Sequence, residues 1–127
     1  MNVIDSSAWI EYFTDGPNTP EFQEPIERFD ELVVPSITLY EVFKHIAQRS
    51  DEHKAFRAVI VMQQGRVVDL DASLAISAAN LSRTRGLPLA DSIILATARR
   101  ERATLWTQDR HFEGLPGVEY RAKETPA

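Results

Sequence analysis

The sequence predicts an α/β domain with a mostly parallel central sheet. Three observations lead there. Short apolar runs rich in β-branched residues recur along the 127 residues. Longer segments with apolar residues near helical spacing separate them. Most of those segments also carry helix start and stop signals.

"NVID" (2–5) is the first strand, an apolar run closed by a carboxylate, and "SSAWIEYF" (6–13) follows as a helix. The next stretch, "DGPNTPEFQEPIERF" (15–29), is interrupted by prolines and reads as a loop with an irregular helix. "LVVP" (32–35) is the second strand, ended by Pro35. In "SITLYEVFKHIAQRS" (36–50), Leu39, Phe43 and Ile46 lie near the helical period, with Ser36 placed to cap the N-terminus. "DEHKAFRAVIVMQQG" (51–65) is a further helix, started by Asp51 and stopped at Gly65. "RVVDL" (66–70) is the third strand. "DASLAISAANLSRTRG" (71–86) is a helix started by Asp71 and stopped by Gly86. Pro88 opens the helix "PLADSIILATA" (88–98), since proline suits the first helical position. "ATLWT" (103–107) is the fourth strand, "DRHF" (109–112) a turn and "VEY" (118–120) a fifth strand. "KETPA" (123–127) reads as a frayed end. With no repeats or linkers, residues 1–127 are read as a single domain.

Composition narrows the chemistry. The absence of cysteine excludes disulfides, thiolate zinc sites and cysteine nucleophiles. No apolar run approaches the ~18 residues that span a bilayer, and no signal-peptide pattern is present, so a cytoplasmic protein is expected. The net charge of −5 weighs, at face value, against a nucleic-acid partner.

The acidic residues are not scattered at random. In a parallel sheet, sites form beyond the carboxyl ends of the strands. Asp5 ends the first strand, Glu41 lies in the helix after the second, and Asp109 follows the fourth. Asp5 and Asp109 also suit helix caps, and Glu41 shares a helical stripe with His45 and Gln48. Asp91 stands apart, because it sits in the first turn of an otherwise apolar helix, where the dipole favours an anion. Two carboxylates ~5 Å apart repel by about 3 kcal/mol at an effective dielectric near 20. A cluster of four would protonate, spread apart or hold a cation. Oxygen ligands alone point to Mg²⁺ or Mn²⁺ rather than zinc.

Four blocks, "VIDSSAWIEYF", "PSITLYEVFKHI", "LPLADSIILATA" and "TLWTQDRHF", occur in this order. With them the chain resembles PIN-domain ribonucleases, and more closely the VapC-type toxins of bacterial type II toxin–antitoxin pairs, over about residues 2–120. The resemblance implies a three-layer α/β/α fold and a divalent-metal endoribonuclease. It implies a catalytic quartet of Asp5, Glu41, Asp91 and Asp109, with Asp5, Asp91 and Asp109 as ligands of one or two Mg²⁺ or Mn²⁺ ions. Thr107, and more weakly Ser6, would support the site by hydrogen bonding. Glu113 is only a remote stand-in for a further acid that some members carry. A metal-activated water would hydrolyse the RNA phosphodiester, with Glu41 holding or deprotonating it. The resemblance further implies a cognate antitoxin, a homodimer, contact with DNA only through the antitoxin, and no membrane.

The charge objection then weakens. Setting aside the four site carboxylates takes the net charge from −5 to −1. Arg83, Arg85, Arg99, Arg100, Arg102 and Arg110 form the best candidate for RNA-backbone contact, with Arg99 and Arg110 singled out, although several of them equally suit a helix C-terminus. His111, close in sequence to Asp109, is a candidate for phosphate contact but reads first as an exposed turn histidine. Trp9, Ile10, Phe13 and Phe43 suit either the core or a dimer interface. Two alternatives remain: a receiver-like Mg²⁺-binding phosphoacceptor domain, with Asp69 as acceptor, and a PIN-like scaffold that binds without catalysis.

Overall fold

The computed structural model describes residues 1–124. Residues 125–127, the tip of the segment read as frayed, lie outside the described residues. The strands are β1 (Asn2–Ile4), β2 (Leu32–Pro35), β3 (Arg66–Val68), β4 (Thr104–Thr107) and β5 (Val118–Tyr120). The helices are α1 (Ser6–Phe13), α2 (Thr19–Glu27), α3 (Ser36–Arg49), α4 (Glu52–Met62), α5 (Ala72–Arg85) and α6 (Leu89–Arg100). Short 3₁₀ turns cover Phe29–Glu31 and Arg110–Phe112.

All five strands pair in parallel, in the order β3-β2-β1-β4-β5. The order reverses between β1 and β4, and a crevice opens at such a switch point beyond the strands' carboxyl ends. A receiver domain would have the order 2-1-3-4-5. That alternative is therefore excluded, and Asp69 is exposed on the loop after the edge strand β3.

Alternation along the strands builds two cores. Val3, Val33 and Leu105 point to the face covered by α5 and α6, packing with Leu74, Ile94 and Leu95. Ile4, Leu32 and Val34 point to the other face, against Trp9, Phe22 and Met62 of α1, α2 and α4. This gives the three-layer arrangement. Trp9 is fully buried core, whereas Ile10, Phe13 and Phe43 pack at its margin.

Local signals explain most boundaries. Asp51 and Asp71 accept from the Lys54 and Leu74 N–H groups at 2.7 and 2.8 Å, so both are side-chain N-caps. Gly86 ends α5 in the left-handed region at φ 69°. Three expectations are corrected. Ser36 is the first residue of α3 rather than its cap, because β2 runs straight into the helix and Pro35 takes the cap position. Pro88 likewise caps α6, which Leu89 opens. Helix α4 stops at Met62, and Gln63 to Gly65 form a closing turn, with the Gly65 N–H on the Met62 carbonyl at 3.2 Å. The stretch 15–29 is a loop followed by α2, with Pro25 inside it.

The topology also fixes what local sequence left open about Asp91. Arg100 ends α6 and feeds the amino end of β4, so the first turn of α6 lies at the carboxyl edge of the sheet. Arg100 also reaches Asp71 at the start of α5 (2.8 Å), which makes the two helices antiparallel. Among the described residues, no helix is long and apolar enough to cross a membrane.

Candidate active site

Asp5 occupies the cap position of α1, yet its side chain caps nothing. Its Oδ2 instead accepts from Ser7 Oγ at 2.6 Å and from Thr107 Oγ1 at 2.8 Å. Thr107 in turn accepts from the Asp109 N–H at 2.9 Å, which ties the ends of β1 and β4 together. Asp5 is only 2% exposed. Burial pushes its carboxyl up to about 6; the two hydroxyl donors oppose the shift, while Asp109 and Glu41 add to it.

Asp91 lies in the first turn of α6 and is buried. Desolvation, then repulsion from Asp109 and Asp5, push it up to about 7. Glu41, on α3, accepts from Ser6 Oγ at 2.6 Å. Asp109 is half-buried and caps the 3₁₀ turn, its Oδ1 accepting the His111 N–H at 2.9 Å. The cap reading of Asp109 therefore holds alongside a place in the cluster. The mutual repulsions name Asp5 with Glu41, Asp109 and Asp91, so the four carboxylates share one edge of the sheet.

His111 is the addition that sequence reasoning undervalued. It is exposed, as expected, but its Nδ1 sits 2.9 Å from both Asp91 Oδ2 and Asp109 Oδ1. These two acids, Asp109 above all, raise the imidazole pKa. One donor atom from each of the three residues falls within 4.8 Å of the others.

Sequence reasoning also missed the support behind Asp5. Gln108 donates its N–H to Ser7 Oγ (3.3 Å) and its amide to Glu11 Oε1 (3.3 Å). Glu11 is a buried carboxylate, and its other oxygen accepts the Asn18 N–H at 2.7 Å. Asn18 donates to both Gln108 Oε1 and the Ala122 carbonyl at 3.0 Å. The serine two positions after Asp5 was the only local clue.

The arginines divide. Arg110 is exposed on the turn beside Asp109. Arg99 is eight residues beyond Asp91 on α6, about 12 Å along the axis at 1.5 Å per residue. It lines a groove between α5 and α6 with Ser73, Ser77 and Arg100, away from the carboxylates. Arg100 is paired with Asp71. Glu113 is exposed past the turn, in a groove with Arg110, Tyr120 and Lys123.

Among the described residues, no lysine or arginine lies in ion-pair distance of Asp5, Glu41, Asp91 or Asp109. Buried acids that repel one another, with only the exposed His111 imidazole as a cationic neighbour, suit a divalent ion held mainly by oxygen. The donor set fits such an ion.

The family profile of the PIN domain matches residues 3–118. This chain belongs to the PIN-domain family. Among solved structures, this PIN domain is similar to a chain of a toxin–antitoxin complex from Klebsiella pneumoniae, with TM-score 0.77 and 26% identity over 94% of this chain and 96% of that one. It is similar in fold to Mycobacterium tuberculosis VapC20, described as a sarcin–ricin-loop-cleaving toxin, with TM-score 0.76 and 16% identity over 91% and 95% of the two chains. A chain of DNA-bound VapBC from Salmonella typhimurium shares the fold at TM-score 0.70 and 22% identity, over 95% and 96%. No curated protein sequence matches the chain.

Proposed function

We propose that residues 1–127 form one PIN domain acting as a divalent-metal-dependent endoribonuclease, the toxic member of a type II toxin–antitoxin pair in the cytoplasm. The observation that carries this reading is the meeting of four carboxylates at the sheet's switch point, with no lysine or arginine paired to them among the described residues. Membership of the PIN family and the likeness to chains from toxin–antitoxin complexes support it. The same likeness supports an antitoxin that covers the site, with DNA met through that partner. A homodimer is part of the proposal.

Asp5, Asp91 and Asp109 would hold one or two Mg²⁺ or Mn²⁺ ions. Such an ion, when bound, neutralises charge on the scissile phosphate and lowers the pKa of water. The side chains divide the remaining work. Ser7 and Thr107 fix Asp5 by donating to Oδ2, which leaves Oδ1 for an ion. Ser6 holds one oxygen of Glu41, leaving the other to accept a proton from the attacking water. Thus Ser6 serves Glu41 rather than Asp5. Arg110 meets an RNA phosphate at the rim, while Arg99 has no place in this site. No side-chain nucleophile is required.

A scaffold that only binds would have no use for buried acids that repel one another, which cost stability. The decisive assay incubates purified protein with structured RNA, with and without Mg²⁺ or Mn²⁺, beside an Asp5→Ala variant. Wild-type cleavage that needs the ion and vanishes in the variant is expected. Equal cleavage by both proteins would point to a contaminant and overturn the assignment.

A further inference from the structure

We propose that His111 is a nitrogen ligand of the candidate metal site, tilting its preference from Mg²⁺ toward transition ions such as Mn²⁺ and Co²⁺. The inference rests on the metal-site reading above. It starts from a distance: Nδ1 lies 2.9 Å from a carboxylate oxygen of Asp91 and 2.9 Å from one of Asp109. In an octahedral shell with bonds of ~2.1 Å, neighbouring ligand atoms are ~3.0 Å apart. Nδ1 therefore already stands at the spacing of a neighbouring ligand from each of the two carboxylate oxygens, and one donor atom from each of the three residues falls within 4.8 Å of the others.

The imidazole is held there by its backbone. Asp109 accepts the His111 N–H at 2.9 Å, and the next residue, Phe112, is fully buried, anchoring the turn. The side chain of His111 is 57% exposed against 12% for Asp91, so the three donors form the outer, solvent-facing wall of the cluster. Loading the site moves the Nδ1 proton to solvent and frees the lone pair. Carboxylate and water suit Mg²⁺ and Mn²⁺ alike, whereas an imidazole nitrogen is a poorer ligand for Mg²⁺ than for first-row transition ions, Co²⁺ above Mn²⁺.

The rival role is that of a built-in counter-ion, with the imidazolium occupying the place of the metal and leaving when it binds. Calorimetry with Mg²⁺, Mn²⁺ and Co²⁺ on wild type, His111→Ala and His111→Gln separates the two. Electron spin echo modulation of bound Mn²⁺ reads nitrogen coupling directly. Nitrogen modulation in wild type, lost in both variants, is expected. Mn²⁺ and Co²⁺ affinity should fall at least about tenfold in the variants, and Mg²⁺ affinity far less. Bound Mn²⁺ without nitrogen coupling, or variants that bind every ion as tightly or more tightly, would overturn the proposal while leaving the metal site intact. A wild type that binds no Mn²⁺ would overturn both readings.

Discussion

Asp91 opens the buried stretch of its helix. Eight consecutive residues from Asp91 to Ala98 are buried, and the carboxyl is pushed up to about 7 by desolvation, Asp109 and Asp5. Asp91→Asn keeps the shape and removes the repulsion. Cleavage should fall by at least ~10²-fold, the scale of losing one electrostatic stabiliser, while the thermal midpoint stays equal or rises. Calorimetric melting beside the RNA assay checks both, and a large loss of folding stability would instead mark Asp91 as structural. Thr107 works behind the ligands. It is fully buried and bridges Asp5 to the Asp109 backbone. Thr107→Val should cost about 1–3 kcal/mol in denaturant unfolding, because the Asp109 N–H loses its partner and the buried Asp5 Oδ2 keeps only Ser7. It should also weaken Mn²⁺ binding roughly 10- to 100-fold. Ser7→Ala should reproduce the metal effect with a smaller cost of ~1 kcal/mol, since Gln108 N–H loses only a long contact of 3.3 Å.

At the level of elements, what the sequence revealed depended on how local the cause was. Caps are local, so Asp51, Asp71 and Gly86 marked their helices correctly. Strand identity followed from β-branched runs; Asp5 and Asp109 stood out because they follow strands and Asp91 because it sits in the first turn of an apolar helix, whereas Glu41 lies inside α3. The direction of α6 was not local, since it depends on α5 and α6 forming an antiparallel pair before β4. Local sequence could therefore not bring Asp91 to the site, and only the family resemblance placed it there. The same limit hid the buried network of Glu11, Asn18 and Gln108, where Asn18 and Gln108 are 90 positions apart. Glu11 looks like an outward-facing residue of α1 until the loop after the helix closes over it. Gly16 permits that closure, because a Cβ there would fall inside contact distance of the Glu11 carboxylate. Gly16→Ala should displace Glu11 from the Asn18 N–H and lower stability by about 1–3 kcal/mol. Equilibrium unfolding measures it, and an unchanged midpoint would show that the loop simply shifts.

The whole molecule should register the cluster in its pH dependence. In the absence of metal, Asp5 and Asp91 titrate near about 6 and about 7 when folded, against 3.8 as the ordinary value. Between these limits the folded state binds more protons than the unfolded state, so unfolding free energy falls as pH rises. The raised His111 adds a loss of the same sign as pH climbs past 6.5, and the lowered His45 opposes it below that value. Melting in chelator from about pH 5 to about pH 8 should show a declining midpoint, and Asp5→Asn with Asp91→Asn should flatten the decline. Added Mn²⁺ should stabilise more at the upper end, because it binds the deprotonated acids. The central claim is that these carboxylates act together on one divalent ion. Anomalous diffraction from crystals soaked in Mn²⁺ tests it most directly. The account predicts a peak within ligand distance of Asp5, Asp91 and Asp109, absent in Asp91→Asn crystals. Saturating Mn²⁺ with no peak at this edge of the sheet would contradict it.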